Sequence, residues 1–222
     1  IQFIKKHPIE TLCIVAILVF ASYIRLNHIR DYQVFLGDQG RDVLTVKRII
    51  VDHDMTFLGP TSSVGGFFLG PFYYYLMIIP LMLSGLDPVG PAAMVAVFSI
   101  ITTWMVYSFC RRYFSVQTGI MAAALYSVSR LVVEYARSSW NPNVLPFFSF
   151  LMVYMFALLL EGKAKRKWLL LFVIGATMGI IIQLHYAIWG MYIFAFLAYL
   201  LFIWKDSLQH HALRIGERFL EI

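Results

Sequence analysis

Apolar runs of about 20 residues recur along this chain, each close to the length a helix needs to cross roughly 30 Å of hydrocarbon. They are Ile9 to His28, Phe72 to Leu86, Ala92 to Cys110, Val116 to Val133, Val144 to Leu160, Trp168 to Leu184 and Ala187 to Trp204. Basic clusters stand at their ends: Lys5-Lys6, Arg111-Arg112, KAKRK from Lys163 to Lys167, and Lys205. Short loops rich in Lys and Arg stay in the cytoplasm. With every cluster placed there, Ile9 to His28 leads outward and the stretches from Ala92 to Trp204 alternate without conflict. Both ends of the segment from Asp31 to Pro91 then lie outside. Phe72 to Leu86, short and broken by Pro80, is therefore no full crossing but a helix at the interface. The pattern predicts an all-α, polytopic transmembrane helical bundle of about six spans, forming a single transmembrane domain. Its parts are a first span at 9–28, an outer loop at 31–91 carrying juxtamembrane helices, five further spans within 92–204, and a cytoplasmic tail at 205–222.

The outer loop is longer than ordinary connections and too apolar to be disordered. Within it Val43, Leu44, Val46, Ile49 and Ile50 recur at helical spacing with Lys47 and Arg48 opposite, which predicts an amphipathic helix over Arg41–Val51 lying on the outer membrane surface. Gly59-Pro60, Gly65-Gly66 and Gly70-Pro71 then signal turns that fold the loop back.

Composition agrees with a membrane solvent: 60% of the residues are apolar, 14% are charged and the mean hydropathy is +0.75, more apolar surface than a soluble domain could hide. The net charge of +6 sits in cytoplasmic anchors, so no nucleic-acid partner is expected. Cys13 and Cys110 fall inside apolar runs and read as small buried hydrophobes. The first run lacks a small-residue cleavage site and reads as a retained helix. A first residue other than Met and a polar tail without a clear end suggest part of a longer protein.

With this topology the unusual polar residues gather on one side. They are GDQGRD (Gly37–Asp42), EYARSSWNPN (Glu134–Asn143), and Gln183, His185 and Tyr186 at the top of the Trp168–Leu184 stretch. A shared outer pocket beneath the covering loop explains the grouping. Asp38 and Asp42, four apart, lie on one face of a helix beginning near Asp38; a carboxylate there acts either as a general base tuned by Arg41, or as an N-cap with its partner favouring the helix dipole. Arg41 and Arg137 read as phosphate ligands or as boundary arginines reaching headgroups. Trp140, Asn141 and Asn143 could stack on and orient a sugar or headgroup, although Asn-Pro also starts helices and Trp favours interfaces. His185 reads as an acid, a base, a phosphate partner or a helix-end histidine bonded to a carbonyl. Tyr73, Tyr74 and Tyr75 read first as an interfacial aromatic belt and second as a platform for sugar or lipid. No zinc-ligand spacing, P-loop or nucleotide-binding glycine pattern is present; no cofactor is expected, and a divalent metal is left open.

The acidic residue in a D-x-x-R setting (Asp38 to Arg41), the G-P-F-Y-Y-Y-L segment (Gly70–Leu76), R-R-Y-F (Arg111–Phe114) and above all R-S-S-W-N-P-N-x-L-P-F-F (Arg137–Phe148) resemble membrane glycosyltransferases of the C-type fold. The resemblance is to the protein mannosyltransferases and bacterial lipid A aminoarabinose transferases of glycosyltransferase family 39. It implies a polyprenyl-phosphate-linked sugar as donor, an inverting transfer on the outer face of the cell membrane, and a glycan, lipid or protein acceptor, with membrane lipids around the site. It implies that Asp38 matches the first-loop acidic residue, with Arg41 beside it, and that Arg137 and His185 fall at donor-phosphate and pocket positions. Many relatives follow the Asp with Glu, where this chain has Gln39; Asp42 is the candidate second carboxylate. The alternative, a transporter or flippase for a lipid-linked or small polar substrate, expects mid-membrane charges on broken helices and repeat symmetry, and neither is visible in the sequence.

Overall fold

The computed structural model describes residues 7–62, 65–162 and 165–186, with scattered positions between 188 and 197. The chain divides into two compact units, Ile1–His185 and Tyr186–Ile222. In the second, Trp189 N–H donates to Tyr186 O, as in a helical turn. The stretch Ala187 to Trp204 and the tail 205–222 lie almost wholly outside the described residues.

The first unit runs α1 (Pro8–Leu26), α2 (Ile29–Tyr32), α3 (Gly37–Val51), α4 (Phe72–Leu83), α5 (Val89–Tyr113), α6 (Val116–Val128), α7 (Arg130–Ala136), a 3-10 turn (Asn141–Val144), α8 (Leu145–Leu160) and α9 (Lys167–Leu184). Among the described residues, four helices are long and apolar enough to cross a membrane: α1, α5, α9, and α8 together with the turn before it. A fifth crossing is available if α6 and α7, bent by 60°, form one broken span. The expected uninterrupted helix from Val116 to Val133 is thus corrected to two pieces. Ser129, with extended φ −58° and ψ 118°, separates them.

The break has a physical consequence, because a helix that stops leaves carbonyls without intrahelical donors. Leu125 O is taken by Ser129 N–H at 3.1 Å. Tyr126 O and Ser127 O accept from the Arg25 guanidinium at 3.4 and 3.0 Å, while Arg25 Nε donates to Ser99 Oγ at 2.9 Å. Arg25 is fully buried, and this one side chain ties α1, α5 and the end of α6 together.

The ends of the bundle are set by charge. Glu10 on α1 is buried against Tyr107 and Arg111 of α5, and Arg112 pairs with Glu161 after α8 at 2.7 Å. At the opposite end Arg30 pairs with Asp87 at 2.7 Å. Between them Ile14, Tyr107 and Ala123 form the core of α1, α5 and α6. Two glycines permit close helix crossings: a Cβ at Gly90 would collide with Pro80 O, and one at Gly119 would lie 2.9 Å from Tyr107 O.

The segment 72–83 is a 12-residue helix containing Pro80, too short to cross. The amphipathic helix extends over Gly37–Val51, a turn longer than expected, and buries Val43, Val46 and Ile49. It packs on α4, so that face is turned to protein and not to the membrane surface as the pattern suggested. The same contact corrects the aromatic belt: Tyr73 and Tyr74 are 0% and 3% exposed and belong to the interior.

Replacing Arg25 by Met keeps the length and removes the donors, leaving two buried carbonyls unpaired. Thermal unfolding of the detergent-solubilised protein should show a loss of roughly 2 kcal/mol or more, given about 1–3 kcal/mol for each unsatisfied group. A Met variant as stable as the parent would contradict this role.

Candidate functional site

The site is built on the first turn of α3. Leu36 is extended, and its backbone N–H donates to Gln39 Oε1 at 3.0 Å, so Gln39 closes the start of the helix. The N-cap position belongs to Leu36, which corrects the reading of Asp38 as the cap. Asp38 instead stands half exposed in the first turn, its carboxylate receiving Arg41 Nη1 at 2.9 Å. Arg41 also donates from Nε and Nη2 to Asp42 Oδ1, at 2.9 and 2.8 Å. The i, i+3 and neighbouring spacings therefore bring both carboxylates onto one guanidinium.

The two carboxylates differ in surroundings. Asp42 is fully buried, and its Oδ2 makes no hydrogen bond. Burial pushes its carboxyl up to about 6, opposed by the pairing with Arg41, and the Tyr74 hydroxyl acts on the same group. Asp38 has solvent on one side and stays available to a ligand.

A second polar segment meets α3 from the other half of the chain. After α7 the chain turns through Arg137–Asn143, and almost every polar group in that turn is used. Ser138 Oγ accepts from Gln39 Nε2 at 3.2 Å and donates to Val34 O at 3.0 Å. Ser139 Oγ meets Tyr73 OH at 2.9 Å, and Asn143 Nδ2 donates to Ser138 O at 2.9 Å. Asn141 is buried and donates to Leu184 O at the end of α9. Pro142 sits in the first turn of the 3-10 segment, where its missing N–H costs nothing.

Between α3 and this turn lies a cavity of about 570 Å³ lined by Leu36, Asp38, Gln39, Glu134, Ser138, Trp140 and Asn143. A second, mostly apolar cavity of about 310 Å³ adjoins it and shares Tyr135, Trp140 and Asn143; Phe98, Leu131, Val132 and Phe147 supply much of its wall. The tilt of α7 after the break at Ser129 places Leu131, Val132 and Tyr135 along this second cavity.

The expected site residues thus fall into groups. Asp38, Trp140 and Asn143 share one cavity, Arg41 and Asp42 brace it, and Tyr74 is packed beside Asp42. Asn141 serves the packing of α9. Arg137 lines a neighbouring cleft, donates to Ile24 O, and lies over the Tyr32 ring at 4.6 Å. His185 follows α9 directly, its backbone N–H on Ile181 O at 3.4 Å. Sequence reasoning missed Ser138, Ser139 and the structural use of Gln39. The signal for the serines was their place beside Trp140 and Asn143 in a polar run between two apolar stretches.

A family model described as Dolichyl-phosphate-mannose-protein mannosyltransferase matches residues 69–216, more than half of the chain. The matched stretch takes in Tyr74, the Arg137–Asn143 turn and His185, and begins after α3. No curated protein and no solved structure matches the chain.

The Asp42 environment has a pH signature. An acid whose folded-state value is raised from 3.8 to about 6 contributes stability that is fully present below 3.8 and is lost as pH rises through 6. The stability of the wild type relative to Asp42→Asn should therefore fall between pH 4 and pH 6.5, by on the order of 2 kcal/mol, and stay level above. Melting curves of both proteins across that range test it; a difference independent of pH would refute the assignment.

Proposed function

Because the chain belongs to the dolichyl-phosphate-mannose-protein mannosyltransferase family of membrane glycosyltransferases, which use a polyprenyl-phosphate-linked sugar, we propose that Asp38 is the general base of an inverting sugar transfer in the cavity beneath α3. The observation that carries this reading is the pairing of a polar cavity holding a half-exposed carboxylate with an apolar cavity that shares its wall. A polyprenyl phosphate sugar has the same two parts. Its sugar phosphate suits the cavity with Asp38, Trp140 and Asn143, and its first isoprene units suit the cavity with Leu131, Val132 and Phe147.

In this scheme the acceptor hydroxyl loses its proton to Asp38 as its oxygen attacks the anomeric carbon. The bond from that carbon to the phosphate oxygen breaks, and polyprenyl phosphate leaves from the opposite face, so the anomeric centre inverts. Arg41 has five N–H donors, and three are engaged by Asp38 and Asp42. Tyr74 lies against the same guanidinium, and an N–H not taken by these neighbours can stabilise the charge that develops on the leaving phosphate. The carboxylates hold the guanidinium in place beforehand, so little reorganisation is needed during reaction.

The active face is proposed to be extracytoplasmic. Arg111 and Arg112 lie with Glu10 and Glu161 at one end of the bundle, and the α3 site is built where α1 ends. The rule that basic loops stay cytoplasmic then puts Asp38 on the outer side. A lipid-borne donor fits such a site because it reaches the cavity from within the bilayer.

In membranes containing the full-length protein, Asp38→Asn should reduce transfer of label from radiolabelled polyprenyl-phosphate mannose to endogenous acceptors by at least about 100-fold, the usual scale for losing a general base. Expression and thermal stability should be close to the parent's, since Asp38 is half exposed. Undiminished transfer by this variant would overturn the assignment.

A further inference from the structure

Gln39 stands next to the proposed base, yet it is 5% exposed and belongs to the scaffold. The direction of each of its hydrogen bonds is forced. Leu36 N–H can only donate, so it faces Oε1, and Nε2 therefore faces Ser138. Ser138, 4% exposed, has one hydroxyl hydrogen, and that hydrogen goes to Val34 O. Its oxygen can then only accept from Gln39. The result is a one-way relay from Gln39 Nε2–H through Ser138 Oγ–H to the Val34 carbonyl. It joins the chain entering α3 to the turn that carries Trp140 and Asn143.

We propose that Gln39 is a positioning residue: its amide, accepting from Leu36 and donating to Ser138 at once, fixes Asp38 relative to the opposite wall of the cavity. This rests on the reading that Asp38 acts as the base. A carboxylate at position 39 cannot replace the amide when ionised, because it has no hydrogen to give. Ser138 would then have to turn its own hydrogen toward position 39 and leave Val34 O unpaired. A protonated carboxylic acid retains one acceptor oxygen and one O–H donor, and it restores the relay. Glutamate at this position therefore converts a fixed contact into one that depends on pH.

The test is sugar transfer by full-length wild type and Gln39→Glu from polyprenyl-phosphate mannose between pH 5 and pH 8, expressed as the variant-to-parent ratio so that titrations common to both cancel. The ratio should be near one at pH 5 and fall to about a tenth at pH 8, the effect of one lost buried hydrogen bond. The loss should appear in kcat, with donor KM little changed. Recovery on lowering the pH of the same preparation separates this effect from misfolding. In a Ser138→Ala background nothing remains to receive the donor, and Gln39→Glu should then leave a ratio that does not vary with pH. A flat ratio in the protein that keeps Ser138, or an equal pH response in the Ser138→Ala background, would overturn the proposal. Full activity of Asp38→Asn would instead overturn the assignment of the base, whatever the position 39 variants do.

Discussion

A helix that stops within or near hydrocarbon must find donors for its last carbonyls, and in this protein Arg25 is the donor on which the rest of the arrangement depends. Without it the break at Ser129 would leave Tyr126 O and Ser127 O bare, and continuation of α6 as a straight helix would be the cheaper backbone path. The bend that Arg25 permits turns α7 by 60° and delivers the Arg137–Asn143 turn to the mouth of the first loop. A cation here needs no carboxylate. Backbone carbonyls and the Ser99 hydroxyl surround the guanidinium and keep the geometry directional.

The turn after α7 is rigid because its polar groups are spent on different neighbours. Ser138 holds α3 through Gln39, Ser139 holds α4 through Tyr73, and Asn141 holds α9 through Leu184. Trp140, between these anchors, and Asn143, just past them and bonded to Ser138 O, line the cavities. A site made by a loop at the top of a bundle is ordinarily mobile. Here the loop is helical over Gly37–Val51 and packs an apolar face on α4, which gives Asp38 a fixed mount.

Much of this was legible in the sequence, and the reasons differ from residue to residue. Long apolar runs have no other stable state than a helix in lipid, so α1, α5, α8 and α9 follow from composition alone, and Phe72 to Leu86, set aside as a crossing on charge and Pro80, forms a helix of only 12 residues. Asp38, Arg41 and Asp42 were visible as neighbours because helical spacing is local. The break at Ser129 was not, because its cause is an arginine about a hundred positions earlier and no Pro or Gly marks it. Tyr73 and Tyr74 were misplaced for a related reason: an aromatic residue at a boundary looks alike in sequence whether it faces headgroups or a neighbouring helix. Gln39 appeared only as a departure from a carboxylate pattern. Its use became clear once Ser138, far along the chain, was seen against it. Arg137 and Asn141 had the right chemistry for a ligand, but tertiary contacts employ Asn141 in packing and put Arg137 in a neighbouring cleft.

The buried Glu10 at the far end of α1 bears on the register of that helix. Its carboxylate is held by Tyr107 and Arg111, both on α5. An acidic side chain near the end of a lone apolar helix is poorly accommodated by lipid. Sliding α1 along α5 would therefore strip Glu10 of its partners, a cost that apolar packing alone does not impose. The Glu10–Arg111 pair at one end and the Arg25–Ser99 hydrogen bond at the other thus pin α1 to α5 at two points. With a polar clasp near each end, two otherwise apolar helix faces are held in one register.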